Sequence, residues 1–407
     1  MLRATLTLLA GGALAQLLPL LLGPWITRLY SPIEFGHFSL VWTVATNVAV
    51  VGCARYEFAL PLEKDSHAAS RLMALCLRVL VAVTLASALI GWAWATWQDL
   101  DLALWLGLAV LAGALAQAMT LWATRASAFK ALAAARLLQY GGAALLQVLM
   151  GLAAFGAVGL LLGPVIASLA AALWLATVAR PVDGWRAVWQ QDRTGLRAMA
   201  LRHKDFPLLN TPHAFAGALQ DSLALLLLSY WAGDAAAGYW ALAMRYLKAP
   251  AGLVGGALSQ TLYPRLVAAR SPAEAVRLVR QAMAALAAFA VPLAAVLTIW
   301  GPKLFAWAFG ERWQDAGELA RALAPYVAVH FIASPLSVTT MAWQAQGWAL
   351  RLALVGQAAF VLGIGLGLLR GGLIGAAWGV SATMALYFAY YFWALAHWKH
   401  KDGLFAT

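Results

Sequence analysis

The sequence predicts an all-α, polytopic membrane protein of about 12 transmembrane helices, and three observations carry that prediction. Of 407 residues, 63% are hydrophobic and only 11% charged, with a mean hydropathy of +0.77; soluble domains carry about 25% charged residues. Apolar runs of roughly 20 residues, the length that crosses a hydrocarbon core of about 30 Å, recur from end to end. The basic residues gather in alternate links between those runs, as they do when Lys and Arg stay on the cytoplasmic side. Strands of a membrane barrel would alternate polar and apolar over about ten residues, and these runs do not.

The first run begins in MLRATLTLLAGGALAQ, which has the look of a signal peptide with Ala13-Leu14-Ala15 as its cleavage site. It continues apolar through Leu22, so it reads as the first spanning helix, 4–27. The others follow at 35–54, 72–94, 101–123, 137–155, 157–178, 207–231, 237–262, 281–300, 318–342, 351–369 and 372–396. Short links with Pro or Gly, such as Tyr30-Ser31-Pro32 and Gly301-Pro302, punctuate them.

With the N-terminus inside, 20 of the 28 Lys and Arg fall on the cytoplasmic side and 5 opposite, and both termini are cytoplasmic. A miscounted span would scramble that split. The net charge of +12 therefore marks orientation, and no nucleic-acid partner is expected. The polar segment 179–206 separates a six-helix lobe, 1–178, from a second, 207–407. This basic stretch reads either as an amphipathic helix on the anionic inner leaflet, with Trp185 and Trp189 four apart, or as a plain linker. Phe35-Gly36-His37-Phe38-Ser39-Leu40 and Ala237-Gly238-Tyr239-Trp240-Ala241-Leu242 open corresponding helices of the two lobes, as in parallel repeats. Cys53 and Cys76 are too few for a disulfide framework and read as small buried apolar residues.

Three basic residues remain inside the spans: Arg78, Arg245 and Lys248. A charge at membrane depth costs about 2.5–3.5 kcal/mol even on lenient scales, so such residues mark a partner charge or a substrate path. Arg245 and Lys248 lie three apart and share one helix face, which suits an anion. Asp221 falls at their depth on the preceding helix, roughly 17–21 Å from the intervening turn at 1.5 Å per residue. It can pair with one of the two cations and leave the other to a phosphate, or complete a purely structural pair. Pro250 is expected to kink the helix beyond Lys248. Arg78 can meet a phosphate from the inner leaflet or snorkel to the surface. Arg55 and Glu57 close the second helix; they line a cytoplasmic gate or form an ordinary solvated end. Asp221 is the first candidate for proton coupling, with His330 and His213 behind it. No nucleophile constellation, metal cluster or phosphate-cradling glycine loop is present in the sequence. No cofactor is expected, and energy would come from an H+ or Na+ gradient, the membrane potential or the substrate gradient.

Several stretches resemble the oligosaccharide flippases (Wzx-type O-antigen and polysaccharide exporters) of the multidrug/oligosaccharidyl-lipid/polysaccharide exporter superfamily. They are Leu29-Tyr30-Ser31-Pro32-Ile33-Glu34-Phe35-Gly36 with Arg55-Tyr56-Glu57-Phe58-Ala59-Leu60-Pro61, then Gly238 to Tyr246 with Pro250 and Leu262-Tyr263-Pro264-Arg265. Phe309-Gly310-Glu311-Arg312-Trp313 and Ser334-Pro335-Leu336-Ser337 complete the match. The resemblance implies two lobes around a central cavity and alternating access. It implies a non-enzymatic flippase in the bacterial inner membrane that exports a polyprenyl-pyrophosphate-linked O-antigen, exopolysaccharide or capsule repeat unit to the periplasmic leaflet. Its partners would be that lipid-linked oligosaccharide, membrane lipids, and the glycan polymerase and chain-length machinery. A peptidoglycan lipid-precursor flippase stays open, because it too needs a cationic cavity. A drug exporter of the same superfamily would favour carboxylates where this chain places cations. A membrane-embedded glycan polymerase or glycosyltransferase would want a large catalytic loop, and the links opposite the cytoplasmic side are short.

Overall fold

The structure, a computed structural model, describes Leu2–Trp398. Among the described residues it is helical throughout, with no strand, and each of the 12 expected spans coincides with a helix or half of one. The spans correspond to α1 (Leu2–Leu29), α2 (Pro32–Val50), α3 (Ser66–Gln98), α4 (Leu106–Arg125), α5 (Phe129–Leu152) and α6 (Gly156–Val178), then to the later helices below. The linker holds α7 (Gly184–Trp189) and α8 (Arg193–Arg202). After it come α9 (Thr211–Ala232), α10 (Asp234–Val267), α11 (Pro272–Phe309), α12 (Gln314–Ala342) and α13 (Gln346–Ala396). Among the described residues, 7 helices, α13 counted as one, are long and apolar enough to cross a membrane by length and composition. The protein is a polytopic helical membrane protein.

By contacts the chain divides into Met1–Ser222 and Leu223–Thr407. In the first unit the motif Tyr30-Ser31-Pro32-Ile33-Glu34 is a helix start. Ser31 Oγ accepts the Glu34 N–H, the Glu34 carboxylate accepts the Ser31 N–H at 2.7 Å, and Pro32 occupies the first helical position. Tyr30 is buried beside it; its hydroxyl donates to Gln147 O at 2.7 Å on α5. Gly151 and Gly159 make the room for that ring, since a Cβ on either would sit about 3 Å from it. The core at the Arg55 end of this unit is built from Leu60, Leu72, Met73, Leu80, Trp122 and Leu175, with Cys53 and Cys76 buried among them.

In the second unit α10 runs unbroken through Pro250 and Pro264. The 51-residue α13 is two antiparallel halves joined where Gly371 and Gly372 leave helical geometry, Gly372 with φ +57°. Glycines let the halves touch. A Cβ on Gly367 would lie 2.1 Å from Gly375 O, and one on Gly379 the same distance from Gly363 O. Gly363 and Gly367 thus lie in the close seam, while Gly365 meets nothing within 4 Å.

Candidate functional site

In the first unit, α2 ends in a left-handed turn at Ala54 and Arg55 (φ 48° and 63°), and a 3-10 turn, Tyr56–Leu62, follows. That turn carries Glu57 into the interior, where only 1% of the residue is exposed. Gln117 of α4 donates its amide to Glu57 Oε1 at 2.8 Å, while Oε2 and the buried Arg55 Nε have no hydrogen-bond partner. Burial raises the Glu57 carboxyl above its ordinary value, and its own backbone N–H, Gln117 and the Arg55 charge offset this only in part. Arg55 and Glu57 do not form an ion pair. The Arg55 guanidinium lies 4.0 Å from the Phe58 ring centroid and reaches Val50 O at 3.4 Å.

Arg78 points to the linker. Its Nη2 donates to Trp189 O at 3.1 Å and Gln191 O at 2.8 Å, satisfying carbonyls at the end of α7. The linker folds with the first unit: Trp122 N–H donates to Ala179 O, Trp185 N–H to Ala176 O, and His67 faces Asp183 at 3.0 Å. Val188, Leu196 and Met199 are buried and α8 packs on α3, while Trp189 and Leu201 stay exposed. Asp192 caps α8; the Thr194 hydroxyl and the Gly195 amide hold its carboxyl below the usual range. Glu63, whose side chain is 7% exposed, meets His203 Nε2 at 3.0 Å and Arg202 at 3.3 Å, and Arg125 Nε donates to its carbonyl.

Asp221, exposed on α9, belongs to the first unit, whereas Arg245 and Lys248 belong to the second. Both cations are half-buried on one face of α10, ahead of Pro250. Tyr246, between them, packs its ring 4.5 Å from Phe309. His330 on α12 lies among aromatic rings, 5.5 Å from Tyr326 and 6.4 Å from Phe388 between centroids. The side chain of His213, and Lys399 and Lys401, lie outside the described residues. Among the described residues no cluster of three or more His, Cys, Asp or Glu is arranged to hold a metal.

Sequence reasoning passed over Gln117, Glu63 and His203. Gln117 had a visible signal, a lone amide in the apolar run Ala112 to Met119. Glu63 and His203 had none, because 140 residues separate them.

The family described as polysaccharide biosynthesis protein matches residues 25–318. No curated protein matches the sequence. Among solved structures, the fold is similar to a lipid II flippase, MurJ, in an inward closed conformation (TM-score 0.71, 12% identity, covering 97% of this chain and 90% of that one). It is similar to an inward-facing multidrug resistance MATE transporter of the MOP superfamily (TM-score 0.63, 14% identity, 95% and 93%). A MOP superfamily transporter from Pyrococcus furiosus, described as having a binding pocket of reversed polarity, has a TM-score of 0.55 at 14% identity, covering 97% and 95%. These likenesses show the fold, which is that of MOP superfamily transporters, and the sequence match shows the lineage. The chain belongs to the polysaccharide biosynthesis protein family.

Proposed function

We propose that this protein is a flippase that carries a polyprenyl-diphosphate-linked oligosaccharide across the inner membrane of a bacterium, from the cytoplasmic to the periplasmic leaflet. The observation that carries the reading is the pair Arg245 and Lys248, two cations on one face of an apolar helix in a chain of this family. A diphosphate is the anion of an amphiphile that must cross the bilayer, and two basic side chains one turn apart match its two phosphates.

In this reading the transporter alternates its access, both termini are cytoplasmic, and the chain catalyses no covalent step. Arg55 lines the cytoplasmic entrance, with Glu57 buried behind it in the same turn. Asp221 is the coupling carboxylate, with His330 as the second titrating group, and an H+ or Na+ gradient drives export. Arg78 serves substrate entry indirectly, by holding the linker. The glycan polymerase and chain-length machinery would receive the product.

The likeness to a lipid II flippase supports a second reading, a peptidoglycan lipid precursor as cargo, since a diphosphate lipid would use the same cations. Deleting the gene and analysing lipid-linked sugars by leaflet tests both. The first reading expects loss of surface glycan and lipid-linked repeat units held on the cytoplasmic leaflet. Intact surface glycan with arrested peptidoglycan synthesis would favour the second. Neither defect would overturn both.

A further inference from the structure

The linker ends in a polar joint with the chain that leaves the Tyr56–Leu62 turn. His203 Nε2 lies 3.0 Å from Glu63 Oε1, and Arg202 Nη1 lies 3.3 Å from the same oxygen. The side chains of Glu63 and His203 are 7% and 12% exposed, that of Arg202 58%. Water therefore screens the Arg202 charge, and the Glu63–His203 contact is the sheltered one.

Glu63 is held still from its other side. Arg125, at the end of α4, donates Nε to Glu63 O at 2.8 Å, and Nη2 to Lys64 O at 3.2 Å and Ser66 Oγ at 3.3 Å. His203 ends α8, its N–H donating to Met199 O at 3.1 Å and its ring lying 6.2 Å from that of Phe206. The Tyr56 hydroxyl donates to Ala200 O at 3.4 Å, and the segment Phe206–Asn210 packs on the Tyr56–Leu62 turn. The end of the linker thus meets the turn that begins at Arg55 through one long hydroxyl bond, one packed segment and one sheltered carboxylate.

Imidazole is the side chain whose charge changes near neutral pH. Neutral, it offers a carboxylate an ordinary N–H; protonated, it makes a charge-assisted bond about twice as strong. The other ionisable groups around the joint are differently engaged. Arg125 faces carbonyls, and Glu57 of the turn accepts from Gln117. On α3, His67 faces Asp183, while Arg71 lies beside Asp192 at the far end of α8. Lys64 and Asp65 cancel in sign beside Glu63, as Lys204 and Asp205 do beside His203.

We propose that Glu63 and His203 form a pH-sensitive latch, which fastens the linker to the Arg55 turn while the imidazole is charged and the carboxylate ionised. Proton binding and docking then favour each other. The added hold is present in mildly acid solution and is lost as pH rises and the imidazole gives up its proton. It is lost again where the carboxylate itself is protonated. The latch is a property of the linker and the turn, and it does not depend on the flippase reading above.

The test is amide hydrogen exchange on the full-length protein in nanodiscs, at pH about 6 and about 8, corrected for the intrinsic pH dependence of exchange. Protection within residues 193–202 and 56–62 should be about fivefold higher at the acid end, the difference between a charge-assisted and a neutral bond. The amides of α12 serve as reference. His203→Gln keeps an N–H for Glu63 and removes the titrating group, so α8 should stay protected and lose its pH dependence. Glu63→Gln keeps an oxygen for Arg202 and should also abolish the dependence. Equal corrected protection at both pH values in the wild type would overturn the latch. So would a dependence that survives in His203→Gln or that α12 shares.

Discussion

Gln117 donates to Glu57 across 2.8 Å, and this bond joins a turn outside the spans to the middle of an apolar helix. It satisfies one carboxylate oxygen and leaves the other, buried, without a partner. Such a group is costly in its charged form, which gives the site a signature in pH.

Because burial raises the Glu57 pKa in the folded protein, folding and protonation favour each other. Its contribution is fully present below the ordinary value of 4.5 and is lost as pH rises through the raised folded value. The melting temperature in detergent should therefore climb as pH falls through that window, before general acid unfolding sets in. Glu57→Gln should flatten the climb and raise stability at neutral pH. A Glu57→Gln profile parallel to the wild type would show that this carboxyl is not the source.

Gln117→Leu should do the opposite. It strips the carboxylate of its remaining side-chain donor at a cost of about 1–3 kcal/mol, more if Glu57 stays charged. The double variant Glu57→Leu/Gln117→Leu should recover much of the loss, since removing both partners leaves nothing unsatisfied. Melting curves of Glu57→Leu, Gln117→Leu and the double variant check this, and additive losses would contradict it.

Arg78 holds two linker carbonyls, so Arg78→Ala should loosen α7 and α8 before it touches transport. Limited trypsin digestion should cut faster at Arg186, Arg193 and Arg197. Each charge-assisted bond contributes about 1.5–3 kcal/mol at most, and the partial exposure of this site puts the loss at the low end. Unchanged digestion together with lost export would instead place Arg78 on the substrate path.

The glycine seam of α13 tolerates no side chain. Gly367→Val should prevent the halves from closing and lower the yield of folded protein severely, because its Cβ would meet Gly375 O at 2.1 Å. Gly365→Val, where nothing lies within 4 Å, should be accepted at near wild-type yield. Fluorescence-detected size exclusion of the two variants makes the comparison, and equal yields would contradict the seam.

The spans were legible because a bilayer imposes length and hydropathy on every helix, and Tyr30-Ser31-Pro32 was legible as a link between two of them, though not as a helix cap. The docked linker was not. Arg78 meets backbone carbonyls at Trp189 and Gln191, and any residue supplies a carbonyl, so no side-chain pattern announces it. The left-handed turn at Arg55 was equally hidden, since no glycine marks it. Arg245 and Lys248 stood out because a charge in an apolar run has no cheap explanation.

Those two residues test the central claim most directly. Arg245→Ala and Lys248→Ala, singly and together, should be expressed in a deletion strain at matched membrane levels, with lipid-linked repeat units quantified on each leaflet. If the cationic face of α10 carries the diphosphate, the double variant inserts normally, export fails, and repeat units accumulate on the cytoplasmic leaflet. Wild-type export by the double variant would show that the face is structural and would contradict the account.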